Sequence, residues 1–207
     1  TGNMLADTEA LQTKIFGAQK VHVAGGSWGS TLALTYAIEH PEKVASLQLW
    51  SAFLATAAEI DDMFDGNLKN PEFPFVKEHE WFLRYIADDE QHYQQLKALS
   101  GRDMIKYLAS KINDTDPAVA RRHAIAFEVY EYATCSPEDY NFQKIIDEET
   151  ANPNIVSHGR IEITSHLNAG FMPDGYIIEN IERIKDIPCT IVQGSRDWCT
   201  PEKYADI

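Results

Sequence analysis

Val21-His22-Val23-Ala24-Gly25-Gly26-Ser27-Trp28-Gly29-Ser30-Thr31 is the stretch on which the fold turns. Its first four residues are a short run with two valines and read as a buried strand. Glycines then crowd around one serine, and Ser30 to His40 reads as a helix with Leu32, Tyr36 and Ala37 on one face. Pro41 stops that helix, because the residue before a proline is pushed out of the helical region. From Val44 to Leu49, Ala45, Leu47 and Leu49 alternate with Ser46 and Gln48, the period of a strand. Strand, helix and strand in so short a span predict a parallel βαβ unit.

Gly25-x-Ser27-x-Gly29 fits the Gly-x-Ser-x-Gly turn known as the nucleophile elbow. The turn from strand to helix forces the serine into a strained backbone, so its neighbours two positions away must be small. The hydroxyl is then exposed at the carboxyl edge of the sheet. The first amides of the next helix, that of Trp28 among them, face the charge that develops on an attacked carbonyl. The rival reading is a phosphate-binding glycine loop. It lacks the lysine of a P-loop and the third-glycine spacing of a dinucleotide fingerprint.

Upstream, Asp7–Phe16 reads as a helix that Asp7 or Thr8 caps and Gly17 ends. Downstream, residues 55–185 are rich in helix signals and aromatic residues. Asp116-Pro117 and Ser136-Pro137-Glu138 are helix starts, and Trp81, Phe82 and Tyr85 share a helix face. Cys189–Gln193 returns to strand, followed by Gly194-Ser195-Arg196-Asp197. The expected architecture is α/β: a mostly parallel sheet flanked by helices over residues 1–54 and 186–207, with an all-helical cap over 55–185.

The 207 residues carry 18 Lys+Arg against 32 Asp+Glu, a formal charge of −14. Phosphate backbones and anionic lipid surfaces would repel such a chain, so nucleic-acid and membrane partners are not expected. No apolar run approaches the roughly 20 residues of a membrane span. Cys135, Cys189 and Cys199 are too few and too widely spaced for a disulfide framework or a CxxC metal pair, and point to a reduced, cytoplasmic setting. Glu78-His79-Glu80 lacks a second histidine at helical spacing, so neither a metal nor another cofactor is expected.

An elbow needs an acid and a histidine, in the order Ser, Asp/Glu, His. Asp197, just past a late strand, suits the acid. All seven histidines (His22, His40, His79, His92, His123, His158, His166) precede it. The expectation is therefore a piece of a longer hydrolase, with the triad histidine outside this sequence and the piece alone inactive. His166 is the alternative base.

The run Gly25-Gly26-Ser27-Trp28-Gly29-Ser30-Thr31-Leu32-Ala33-Leu34, with Tyr36-Ala37 and His40-Pro41 behind it, closely resembles the elbow region of the proline iminopeptidases. These are serine peptidases of the α/β-hydrolase fold with a helical cap. Phe127-Glu128-Val129-Tyr130-Glu131 resembles the family's Trp-x-x-Trp-Glu. Gly159-Arg160-Ile161-Glu162 with Asn168-Ala169-Gly170-Phe171 resembles its Ala-Arg-Ile-Glu…Asn-Gly-Gly-Phe. Ile187-Pro188 through Asp197 to Pro201 resembles the strand and loop of the triad acid. The resemblance implies Ser27 as nucleophile, the Trp28 amide in the oxyanion hole, Asp197 as triad acid, and Glu131 and Glu162 as carboxylates binding the ammonium of a peptide with a free N-terminal proline. Residues 55–115 match only in being helical.

Departures cluster at informative places. Phe127 and Tyr130 replace tryptophans, Ile163-Thr164-Ser165-His166 replaces Asn-His-Tyr-Phe, and Trp50-Ser51-Ala52 replaces Arg-Gly-Ile. They bear on strict proline selectivity more than on hydrolysis. A broader aminopeptidase, an amidase or an esterase, or an inactive truncated product, are the other readings.

Overall fold

The computed structural model describes residues 2–136 and 140–205. Three strands form one parallel sheet in chain order: β1 (Val21–Ser27), β2 (Val44–Ala52) and β3 (Cys189–Val192). Helix α1 (Gly2–Phe16) precedes β1, and α2 (Trp28–Glu39) makes the crossover to β2. Both strands run further toward their carboxyl ends than the apolar pattern predicts. Gly25, Gly26 and Ser27 still pair with Leu49, Trp50 and Ala52, because a glycine has no side chain to reveal a strand yet gives up no backbone hydrogen bond. Gly17, at φ 61°, ends α1 where expected. The apolar residues Leu11 and Ile15 of that helix are exposed.

The chain divides into two compact units, residues 1–59 with 169–207, and residues 60–168. In the first, one face of α2 closes on the sheet: Leu34, Ala37 and Ile38 are buried with Val44, Leu47 and Leu49. Ile177 of α10 (Tyr176–Asn180) and Ile184 join that core, which ties residues 169–185 to the sheet unit. Short helix α3 (Ala57–Asp61) straddles the boundary.

The second unit is helical: α4 (Val76–Ile86), α5 (Glu90–Lys97), α6 (Gly101–Ile112), α7 (Pro117–Thr134), α8 (Phe142–Ala151) and α9 (Ile155–Leu167). Four of its starts follow ordinary capping rules, while Phe75 before α4 and Asn154 before α9 make no side-chain cap. The side chains of Asp89, Ser100, Asp116 and Asn141 accept from backbone N–H groups of α5, α6, α7 and α8. The expected start at Ser136-Pro137-Glu138 lies largely outside the described residues. Helix α7 is the hub, packing against α4, α6, α8 and α9. Phe64, Phe82, Phe127 and Tyr130 form an aromatic centre with ring centroids 5.2–6.3 Å apart. Gly159 lets α9 approach α7, since a Cβ there would sit 3.2 Å from that of Ala124. Among the described residues no helix is long and apolar enough to cross a membrane.

Candidate active site

Ser27 ends β1 and opens α2 with φ 51° and ψ −128°, a region that L-residues avoid. The strain persists because the surroundings leave no other path. A Cβ on Gly25 would lie 2.2 Å from the Gly29 carbonyl oxygen, and one on Gly26 would lie 1.9 Å from the Trp50 indole nitrogen. Gly29 itself has open space around its Cβ position, so the steric demand falls on residues 25 and 26. Ser27 is exposed and its side chain makes no capping hydrogen bond to α2, which leaves the hydroxyl outside the helix ladder. Trp28 is the first residue of α2, where an N–H has no partner within the helix.

Two hydroxyls just past the elbow hold it down, a feature the sequence reading did not single out. Ser30 Oγ donates to the Ser27 carbonyl (2.6 Å) and accepts from the Phe53 N–H (2.9 Å). Thr31 Oγ1 donates to the Phe53 carbonyl (2.6 Å). Both residues are fully buried, so α2 clasps both polar groups of the residue that leaves β2. Buried Glu59 braces the next turn, accepting from the N–H groups of Leu54 and Thr56 and from the Thr56 hydroxyl. Burial raises the Glu59 pKa against the effect of those donors. Downstream, Ala169, Gly170 and Phe171 all have positive φ, and a Cβ on Gly170 would lie 2.8 Å from the Trp28 ring.

Asp197 lies in the loop after β3. Its Oδ1 accepts from the N–H groups of Cys199 (3.1 Å) and Thr200 (2.8 Å), and its Oδ2 from the Thr200 hydroxyl (2.7 Å). Gln193 connects this loop to the sheet. Its Oε1 accepts from the Ala52 N–H (2.8 Å), while its Nε2 donates to the Thr200 carbonyl (2.5 Å) and reaches Asp197 Oδ2 at 3.5 Å. Ala52 is the ladder partner of Ser27, and Val192 that of Trp50. Serine and acid thus follow the carboxyl ends of parallel strands on one sheet edge. Neither histidine of this unit is at that edge. His22 Nδ1 lies 2.7 Å from Ser46 Oγ near the start of β1, and the His40 ring rests 5.1 Å from Tyr36 beyond the end of α2. His166, on α9, is buried with its ring edge-on to Phe127, and burial lowers its pKa.

Glu131 and Glu162 belong to the helical unit, on α7 and α9. Desolvation and the neighbouring Glu162 carboxyl hold the Glu131 carboxyl well above the ordinary range. Glu128, one turn before Glu131, joins them. It is 1% exposed, and desolvation followed by the Glu162 charge pushes its carboxyl up to about 9. His158 Nδ1 lies 2.8 Å from Glu128 Oε2. Sequence spacing held the signal for this cluster: Glu128 and Glu131 are three apart and His158 and Glu162 four apart, each pair on one helix face. Phe127 and Tyr130 are interior residues of the aromatic centre.

A parallel sheet whose strained serine stands at a strand–helix turn, with an aspartate on the loop of a later strand, defines an α/β hydrolase. The α/β-hydrolase fold family model matches residues 1–207, and the chain belongs to that family. Among curated proteins, it is 33% identical over 182 residues to a proline iminopeptidase of Arabidopsis thaliana, covering 86% of this chain and 44% of that protein. It is 30% identical over 208 residues to a proline iminopeptidase of Xylella fastidiosa strain 9a5c, covering 99% and 61%. It is 31% identical over 204 residues to a probable proline iminopeptidase of Leptolyngbya boryana, covering 97% and 58%. The chain therefore spans about half the length of the curated relatives it matches.

Proposed function

We propose that the protein is a serine exopeptidase that releases an N-terminal residue, preferentially proline, from peptides through an acyl-enzyme. Ser27 attacks the first peptide carbonyl. A histidine outside these 207 residues takes the hydroxyl proton and returns it to the leaving amine, oriented by Asp197. The Trp28 N–H stabilises the oxyanion. Glu131 and Glu162 receive the substrate's ammonium, a cation that a pair of desolvated carboxyls binds well. Two carboxyls on packed helices hold the terminus in one place, as an exopeptidase requires. The single observation that carries the reading is Ser27 itself, an exposed residue strained at φ 51° on the strand–helix turn.

A fluorophosphonate probe tests the nucleophile on the full-length protein: labelling at Ser27, lost in Ser27→Ala, is expected, and absence of labelling overturns the mechanism. A second reading, a broader acyl hydrolase, draws on Trp50, whose indole covers Gly26 beside the serine. Turnover of a proline arylamide against a short acyl ester separates the two. The carboxylate role is tested by Glu162→Gln. Loss of a buried ion-pair partner costs on the order of 10²-fold in kcat/KM for the proline amide. An ester without an ammonium group keeps its rate.

A further inference from the structure

We infer that Glu128, His158 and Glu162 form a binding site for a first-row divalent metal ion of the zinc type, built between α7 and α9. Glu128 Oε2 lies 2.8 Å and Glu162 Oε2 3.8 Å from His158 Nδ1, and the three ligand atoms all fall within 4.8 Å of one another. A tetrahedral ion with bonds of about 2.0–2.2 Å sets its ligand atoms about 3.4 Å apart, so shifts of ordinary side-chain size close the site.

A second observation points to a cation. Glu128 is 1% exposed, and neither its Oε1 nor the buried Oε2 of Glu162 accepts from an N–H or hydroxyl donor; the hydrogen bond the two side chains share joins acid to acid. Burying acids side by side is costly, and a cation held between them offsets that cost. The charges acting on Glu128 are those of Glu162 and Glu149, both acidic. Gly159 sharpens the point: a Cβ there would lie 3.4 Å from Glu128 Oε1, so the small residue keeps that oxygen's surroundings open.

The donor set selects the ion. One imidazole with two carboxylates suits zinc, manganese or cobalt, whereas calcium and magnesium favour oxygen donors throughout. His158 is half exposed, which gives the ion a path from solvent. The site does not depend on the peptidase reading, and its test reads binding rather than turnover. Glu162 belongs to both, so an ion bound here competes with a substrate ammonium.

The test is calorimetric titration of zinc chloride into chelator-treated protein, with the visible d–d band of cobalt(II) as a spectroscopic readout. One equivalent is expected. His158→Ala, with an unchanged circular dichroism spectrum, should weaken binding by more than about tenfold. Glu128→Gln should do the same with an unchanged circular dichroism spectrum, while His22→Ala in the sheet unit binds as the parent does. No binding of zinc, manganese or cobalt overturns the proposal. So does zinc binding that His158→Ala leaves unaltered.

Discussion

Ser27 adopts a backbone that its own side chain opposes, and that conflict makes a sharp prediction. Positive φ at ψ −128° suits glycine, and a non-glycine residue there stores about 1–3 kcal/mol. Ser27→Gly should therefore raise stability by about 1 kcal/mol, after the greater freedom of unfolded glycine is counted, while abolishing covalent labelling. Urea melts of parent and variant check this, and a destabilised Ser27→Gly would show that the Ser27 backbone stores no strain. Gly25→Ala acts in the opposite sense. Its Cβ would stand 2.2 Å from a backbone oxygen that cannot move without the elbow, and a loss of about 3 kcal/mol or failure to fold is expected. Gly25 and Ser27 were legible in the sequence because a strained turn demands particular residue types at fixed spacing. The role of Gly26 was not, since its need comes from Trp50, a neighbour across the sheet.

Elements carry the next level of order. β1, α2 and β2 could be read from the valines before the glycines, the stop at Pro41 and the alternation of Leu47 and Leu49. What sequence periodicity does not report is side-chain hydrogen bonding between elements. Ser30, Thr31 and Gln193 look like ordinary polar residues until α2 is placed against the end of β2 and β3 beside it. Ser30→Ala removes the hydroxyl that accepts from the buried Phe53 N–H and should cost about 2 kcal/mol. Gln193→Ala should release the acid loop from the sheet. The Ala52 amide, bonded to Gln193 Oε1, should then lose protection in hydrogen exchange. The proline amidase rate should fall roughly tenfold in kcat with KM little altered, the pattern of a positioning residue. An Ala52 amide as protected as in the parent would mean the bridge does not hold the loop. The Glu128–His158 contact was hidden for a related reason. Its partners are 30 residues apart, and only the close approach of α7 and α9 at Gly159 brings them together.

At the scale of the whole molecule, the two units differ in how they hold their histidines. Among the described residues, the histidines whose pKa is lowered, His79, His123 and His166, all belong to the helical unit, and burial is the first cause for each. His123 shows how a neutral ring is satisfied there, with Nδ1 2.8 Å from the Val119 carbonyl and Nε2 3.1 Å from the Tyr107 hydroxyl. His79 is the clearest case. Burial, helped by the Lys97 charge, lowers its pKa from 6.5 to about 4, and its ring stands edge-on to Tyr130 in the aromatic centre. Between pH 6.5 and 4 the unfolded chain binds a proton at this position that the folded chain refuses. Stability from a neutral His79 is thus whole above pH 6.5, falls as pH drops through that window, and is constant below pH 4. The buried carboxyls of the same unit titrate with the opposite sign, so the absolute pH profile mixes both. The difference between parent and His79→Leu isolates the histidine, because every other group is common to the two. Relative to its value at pH 7.5, the stability of the variant against the parent should improve by about 2.5 kcal/mol at pH 4.5. Urea melts followed by far-ultraviolet circular dichroism, to which the helical unit contributes most, measure that difference. A gap independent of pH would show that His79 is protonated as readily in the folded unit as in the open chain.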